Sequence, residues 1–299
     1  MGLRISQFSC IILTMCRSLV YIVITLLFSV TIVTAAPPVS LFWGKILSQY
    51  TSNGIQQKVR TRLVDYNQLA GSQSFKMIVR LIGGTQTSFK SEAEKVAFYI
   101  NAYNIAAAHA VIRSGLYLYP EGSARYNASK KVILALSIQV YGDIYTLNSL
   151  YDYIVTHFND PRLLFALCST ALSSPPLNKS PYTAANLEMQ LDSQVQFFIM
   201  NKVIGMHALK YSKKLFLSRL FQQYENQFTV VGGVGSFLKQ NSTISKIDRY
   251  TIFYLPYNET LNTKTPLSAV IQTIPVPTQN RVPTHDSSVK NGPSIKPAP

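Results

Sequence analysis

Cysteine, histidine and acidic side chains are scarce in this chain, and each scarcity excludes something. Of its three cysteines, Cys10 and Cys16 fall in an N-terminal apolar stretch, which leaves Cys168 alone in the remainder. Without that stretch no internal disulfide is possible, so stability has to come from packing. Cys168 sits in an apolar run and reads as a small core residue. Only four histidines are present, and neither they nor the cysteines fall at zinc-ligand spacing. No metal site and no cofactor is expected. The glycines at 232, 233 and 235 form neither a dinucleotide fingerprint nor a phosphate loop, and a turn is expected there.

Thirteen acidic against 28 basic residues give a formal charge of +15. Residues 1–36 carry Arg4, Arg17 and no acid, so a chain without them stands at +13. No Lys/Arg block of five or more occurs, and no helix-turn-helix pattern stands out, so specific nucleic-acid binding is not expected. A spread positive charge fits attraction to an anionic lipid or glycan surface.

Apolar residues are abundant, at 47%, enough for a sizeable core. Leu19 to Val33 is a continuous apolar run preceded by Arg17 and followed by Thr34-Ala35-Ala36-Pro37. This is the pattern of a secretory signal peptide with cleavage after Ala35, which would place the protein outside the cell or in a periplasm. The alternative is an uncleaved single-pass anchor over Ile11 to Val33, a stretch long enough to span a bilayer. At the other end, residues 264–299 hold seven prolines among polar residues, the composition of a disordered tail. Between them, residues 37–263 are expected to form one mixed α+β domain, with N-terminal helices and a central apolar helix packed on a small sheet.

That central helix is Ser91 to Gly115. Ser91 and Glu94 have capping-box spacing, and Gly115 stands where a left-handed C-terminal residue is wanted. Val96, Ile100, Tyr103, Ala107 and Val111 recur at helical spacing, with Asn101, Asn104 and His109 beside them. Buried amides need partners. They either tie down neighbouring backbone or line a pocket, which the small side chains of Ala106 to Ala108 would let a ligand approach. Helices are expected from Leu41 through Leu81 and over Asn148 to Val155, and a helix capped by Thr183 is expected to run to Val203. Tyr117 to Val132 reads as a loop, Val132 to Tyr145 as a strand pair turning at Gly142-Asp143, and Leu163 to Cys168 as a buried strand. Ser218 is expected to cap a helix over Arg219 to Phe228, and Arg249 to Pro256 is strand-like. Sequons stand at Asn127, Asn178, Asn241 and Asn258.

Phe98, Ile100, Asn101, Tyr103, Asn104 and His109 resemble the signature helix of the family catalogued as domain of unknown function 547. Val64-Asp65-Tyr66 resembles its early V-D-Y element. Asp160-Pro161-Arg162, Phe165-Ala166-Leu167, Ser173 and Pro175-Pro176-Leu177 resemble its second block. Tyr182-Thr183, Asn186-Leu187 and Gln190-Leu191-Asp192 follow, and Tyr254 to Tyr257 with Leu261-Asn262 is similar to its closing motif. The resemblance covers roughly Leu41 to Asn262 and implies a ligand-binding set of Asn101, Tyr103, Asn104, His109, Asp160 and Arg162.

The chain departs from that pattern on reactive residue types. The usual histidine after D-P-R is Leu164, and the usual two cysteines are Ser169 and Ser174. A Glu-His pair aligns with Tyr151 and Asp152, an aromatic and an acid with Gln223 and Gln227, and an Asp-Trp pair with Asn258-Glu259. Thiol chemistry needs a thiolate beside a base or positive charge, whereas serine depends wholly on a positioned general base. The resemblance therefore implies a binding or structural member without catalysis. The alternative is a hydrolase or acyl transferase of thiol-enzyme-like type in serine form, with His109, Ser169 and Ser174 as its catalytic candidates. If the family's two cysteines pair with each other, their joint loss removes only a staple. Cys168 lies one position before the first of these sites, which in a strand points it to the other face.

Overall fold

A computed structural model describes residues 39–84, 88–244 and 246–264. The expected signal or anchor segment and the tail beyond Lys264 lie outside the described residues. Helix α1 (Val39–Tyr50) buries Val39, Trp43, Ile46, Leu47 and Tyr50, a stripe at helical spacing. The chain then makes an antiparallel hairpin, β1 (Thr51–Gln56) with β2 (Val59–Val64). Its two-residue turn, Gln57-Lys58, has positive φ at both positions, the twist such hairpins favour. This corrects the all-helical reading of Leu41 to Leu81. Val59, Thr61 and Val64 are buried while Arg60 is exposed, so a period near two wins over local helix propensity.

Helix α2 (Tyr66–Gly71) is capped by Asp65 and α3 (Gln73–Gly83) by Ser72, each side chain accepting a backbone N–H from the first turn. Helix α4 (Glu92–Ser114) is the central element and is buried along most of its length. Ser91 Oγ accepts the Glu94 N–H at 3.2 Å. The Glu94 carboxylate reaches one residue past the expected box and accepts the Lys90 N–H at 2.7 Å. Gly115 ends the helix in the left-handed region, φ 69°.

Helix α5 (Ala124–Ala135) occupies part of the stretch read as a loop. Ser123 caps it through the Tyr126 N–H. Among its described side chains Tyr126 and Ser129 are the buried ones, too narrow a face to give a periodic signal. The hairpin β3 (Ser137–Val140) and β4 (Asp143–Thr146) turns at Tyr141-Gly142, one residue ahead of the expected turn. It docks on the end of α3 through Tyr141 N–H to Ile82 O and Gly142 N–H to Gly83 O. Helix α6 (Leu147–His157) follows, opened by a Thr146/Ser149 capping box.

The run expected as a buried strand is instead a 3-10 turn, Pro161–Phe165, started by Asp160 accepting the Arg162 N–H. Leu163 to Cys168 is buried throughout, and a run apolar on every side cannot tell strand from helix by period. Cys168 therefore has no strand face to occupy. Thr183 precedes a short 3-10 turn without a side-chain cap, and helix α7 (Leu187–Ile199) ends before Val203. Gly205 follows, close enough to Phe198 O that a Cβ would meet it at 1.9 Å.

The remaining sheet has order β5-β6-β7: β5 (Met206–Leu209) antiparallel to β6 (Lys214–Leu217), and β6 parallel to β7 (Thr251–Tyr254). Between β6 and β7, Ser218 caps a short α8 (Arg219–Gln223), a 3-10 segment runs over Glu225–Val231, and Gly232 (φ 82°) turns into α9 (Gly233–Asn241). The whole is an α+β domain in which α4 packs chiefly against α1, α3, α5 and α6. A second packing centre forms where Phe165 stacks on Phe237 at 5.5 Å beside Phe198, Phe221 and Phe228.

Candidate functional site

The loop from Ala166 to Leu177 is built by its neighbours. Asn104 Nδ2 donates to Ala166 O at 3.0 Å while its Oδ1 accepts the Cys168 N–H at 2.9 Å. Asn101 does the same one turn earlier, holding the carbonyl and N–H of Tyr182 at 2.8 and 3.0 Å. Both amides are spent on backbone. From the far side the C-terminal strap seals the loop: Leu172 N–H meets Thr260 O, Ser173 N–H meets Asn258 O, and Asn262 N–H meets Thr170 O. Thr170 takes a left-handed backbone, φ 71°.

This arrangement presents the loop to a cavity of about 350 Å³. Tyr103 reaches it from α4, Tyr151 and Asp152 from α6, Ser169, Ser173 and Ser174 from the loop, Arg219, Gln223 and Tyr224 from α8 and its end, and Tyr257 from the strap. Tyr151 packs edge-on against Tyr103 at 5.6 Å and lies tilted against Tyr224 at 5.1 Å. Burial pushes the Tyr103, Tyr151, Tyr224 and Tyr257 hydroxyls above the ordinary tyrosine range. At neutral pH all four are uncharged donors and acceptors.

The serines have modest partners. Ser169 Oγ lies 3.3 Å from Tyr257 Oη. Ser174 Oγ donates to Ala171 O at 2.7 Å and approaches Cys168 Sγ at 3.7 Å. Neither is hydrogen-bonded to an imidazole, amine or carboxylate among the described residues. Cys168 itself is fully buried, and burial raises its thiol above the ordinary range. Its Sγ takes long contacts from Ser174 and from Asn262 Nδ2 at 3.9 Å.

The other candidates lie elsewhere. His109 does not line the cavity. Six residues beyond Tyr103 on the same helix, it faces roughly 120° away around the axis. It is half-buried, and burial together with Arg113 lowers its pKa. Asp160 and Arg162 flank a separate surface depression. There Arg162 bonds Asp160 at 2.7 Å, Glu188 at 2.7 Å and Asp192 at 2.8 Å, which ties the 3-10 turn to α7. Its guanidinium is pushed up first by the Asp160 hydrogen bond, and its donors are largely spoken for.

Of the catalytic and ligand-binding candidates named from sequence, the cavity thus unites Tyr103, Ser169 and Ser174, and it adds Tyr151, Asp152 and Gln223 from the positions of departure. Asn101 and Asn104 act behind it, and His109, Asp160 and Arg162 stand apart. Tyr224 and Arg219 were not legible as site residues. Their one signal was position: both follow the Ser218 cap, at the C-terminal end of β6.

Residues 87–199 match the model of the family described as protein of unknown function, DUF547. Over those residues the chain is similar to that family. The DUF547 match includes α4, the loop and α7, while Ser218 to Tyr224 and Tyr257 come from beyond it. No curated protein and no solved structure matches the chain. Among the described residues no group of three His, Cys, Asp or Glu side chains is placed to hold a metal ion. No helix of the described residues is long and apolar enough to cross a membrane.

Proposed function

We propose that this DUF547 protein is a non-catalytic binding member of its family, holding a small polar ligand in the tyrosine- and serine-lined cavity. One observation carries the reading. Tyr151, Asp152, Ser169, Ser174 and Gln223, five positions at which the chain departs from the reactive residue types its family resemblance calls for, line the same cavity. The departures are therefore concentrated where chemistry would occur, and what replaces them is hydrogen-bonding and mostly uncharged. Serine there needs a base, and the bonded partners of Ser169 and Ser174 are a neutral phenol, a thiol and backbone carbonyls. Phenolic and aliphatic hydroxyls with one guanidinium and one carboxylate suit a ligand recognised by many neutral hydrogen bonds and one charged group.

The test joins reactivity to binding. A fluorophosphonate probe is expected to label nothing, whereas a hydrogen-bonding ligand found by thermal-shift screening should lose its effect when Ser169→Trp fills the cavity. His109→Ala should alter stability alone. Probe labelling at Ser169 or Ser174 that His109→Ala abolishes would establish the hydrolase or acyl-transferase reading instead. Export with removal of the leader is supported by the Leu19 to Val33 run and the small residues before Pro37, with retention as a single-pass anchor as the competing outcome. Mass spectrometry of the exported chain separates these, with Ala36 expected as the first residue.

A further inference from the structure

We propose that the free edge of β7 docks an extended acidic peptide by strand addition. The strand is the last of the β5-β6-β7 sheet. Thr251 N–H bonds Lys213 O and Leu255 N–H bonds Leu217 O, both at 2.8 Å. Alternate groups of a strand point to opposite sides, so the N–H and C=O of Ile252 and Tyr254 face outward. Among the described residues they meet no partner. Such an edge is the template on which a further strand pairs.

The edge is uncovered on its faces as well. Leu215 and Leu217 are fully buried, yet their register partners Ile252 and Tyr254 are 41% and 37% exposed. The core that receives β6 stops short of β7. On the opposite face Phe253 stacks on Phe216 at 5.3 Å and is also exposed. A strand with no charged side chain and both faces open offers apolar contact in addition to backbone hydrogen bonds.

Charge selects the occupant. Lys214 lies over the Phe253 ring and Lys213 over Tyr250, with Arg249 two residues before the strand. Among the described residues none of these three cations is ion-paired. Asp248 stands beside Arg249, so the start of the edge carries three cations against one acid, and Glu225 influences Tyr254 at the far end of β7. Cations at the start of the edge and none on the strand itself favour a partner with carboxylates near Thr251. The chain's own residues 265–299 do not fit, because they carry Arg281, Lys290 and Lys296 against Asp286.

The position of the edge gives the docking a consequence. Both parallel strands run toward the cavity: β6 leads into Ser218-Arg219 and β7 into Tyr257. A docked strand would lie beside the mouth of that cavity, about 10 Å from Tyr257 at ordinary strand rise. The edge stands on its own observations, and the cavity need not bind a peptide for it to hold.

The test uses the exported chain and fluorescein-labelled hexapeptides read by anisotropy. Alternating Glu-Val should bind, weaken sharply at about 0.5 M salt, and bind about tenfold more tightly than alternating Lys-Val. Ile252→Pro removes one outward N–H and no bond to β6, and should abolish binding. Because proline could unsettle the strand, the double charge reversal Lys213→Glu with Lys214→Glu supplies a second reading, and it should invert the preference between the two peptides. Equal binding of both peptides, or none, would overturn the proposal. So would slow amide exchange at Ile252 and Tyr254 in the free monomer, which means the chain covers its own edge. A dimer in sedimentation that Ile252→Pro dissociates would overturn it in favour of a second copy. Filling the cavity with Ser169→Trp should leave Glu-Val binding in place, so failure of the edge and failure of the cavity reading are told apart.

Discussion

Asn104 makes two hydrogen bonds at a single point of backbone, and both its partners are buried. Replacing it with alanine leaves the Ala166 carbonyl and the Cys168 N–H without partners in a dry interior. Each orphaned group costs on the order of 1–3 kcal/mol, so the substitution should destabilise the fold by about 2–4 kcal/mol once partial relaxation is allowed for. The loop it holds carries Ser169 and Ser174, so ligand binding in the cavity should weaken as well. Urea denaturation of Asn104→Ala checks the first effect. A loss below about 0.5 kcal/mol would mean that the strap at Asn258 to Asn262 positions the loop without help. Asn101 has the same geometry toward Tyr182. A polar cluster on a buried helix could mean ligand or backbone, and for these two amides backbone takes every bond.

Helix α4 was legible because several independent signals agree on it: a cap, a long apolar stripe and a terminal glycine. Gly115 can be isolated as one of those signals. Its φ of 69° lies in the left-handed region, and a Cβ there would meet side-chain atoms no closer than 3.6 Å. The cost of Gly115→Ala is therefore conformational and not steric, about 1 kcal/mol. A thermal melt should record a modest drop with unchanged cooperativity, and a loss of several kcal/mol would instead place a packing clash there. Other elements were illegible for definable reasons. Helix α5 buries too narrow a face to show a period, and the Pro161–Phe165 turn sits in a run that is apolar on every side. The β1–β2 hairpin was hidden by flanking helices, although Val59-Arg60-Thr61 alternates. The site suffered a different loss. Tyr103, Ser169 and Ser174 were found by motif, but the cavity is completed by Arg219 and Tyr224 and by Tyr257, which its motif did not mark as a site residue. These come from distant segments, and their convergence depends on how β6 and β7 pair, a contact that no local pattern encodes.

At the scale of the whole molecule, a single thiol reports on both stability and function. Cys168 is the one cysteine among the described residues. It sits behind the cavity wall formed by Ser169 and Ser174, fully buried, with its pKa raised by that burial. A thiol of that kind reacts only when the structure opens, because the attacking species is the thiolate and the reagent needs a path. If packing alone closes the path, opening requires the global transition, since loop, strap and α4 are tied together through Asn104 and Asn262. In a Cys10→Ser, Cys16→Ser background, iodoacetamide labelling of Cys168 in native buffer should then be slower than in denaturant by at least about a thousandfold. Its urea midpoint should coincide with that of circular dichroism. Rapid labelling in native buffer would show that the cavity opens inward to the sulfur. That result would make Cys168 a reachable nucleophile in place of the missing Ser169 and Ser174 thiols, and would reverse the non-catalytic reading at its base.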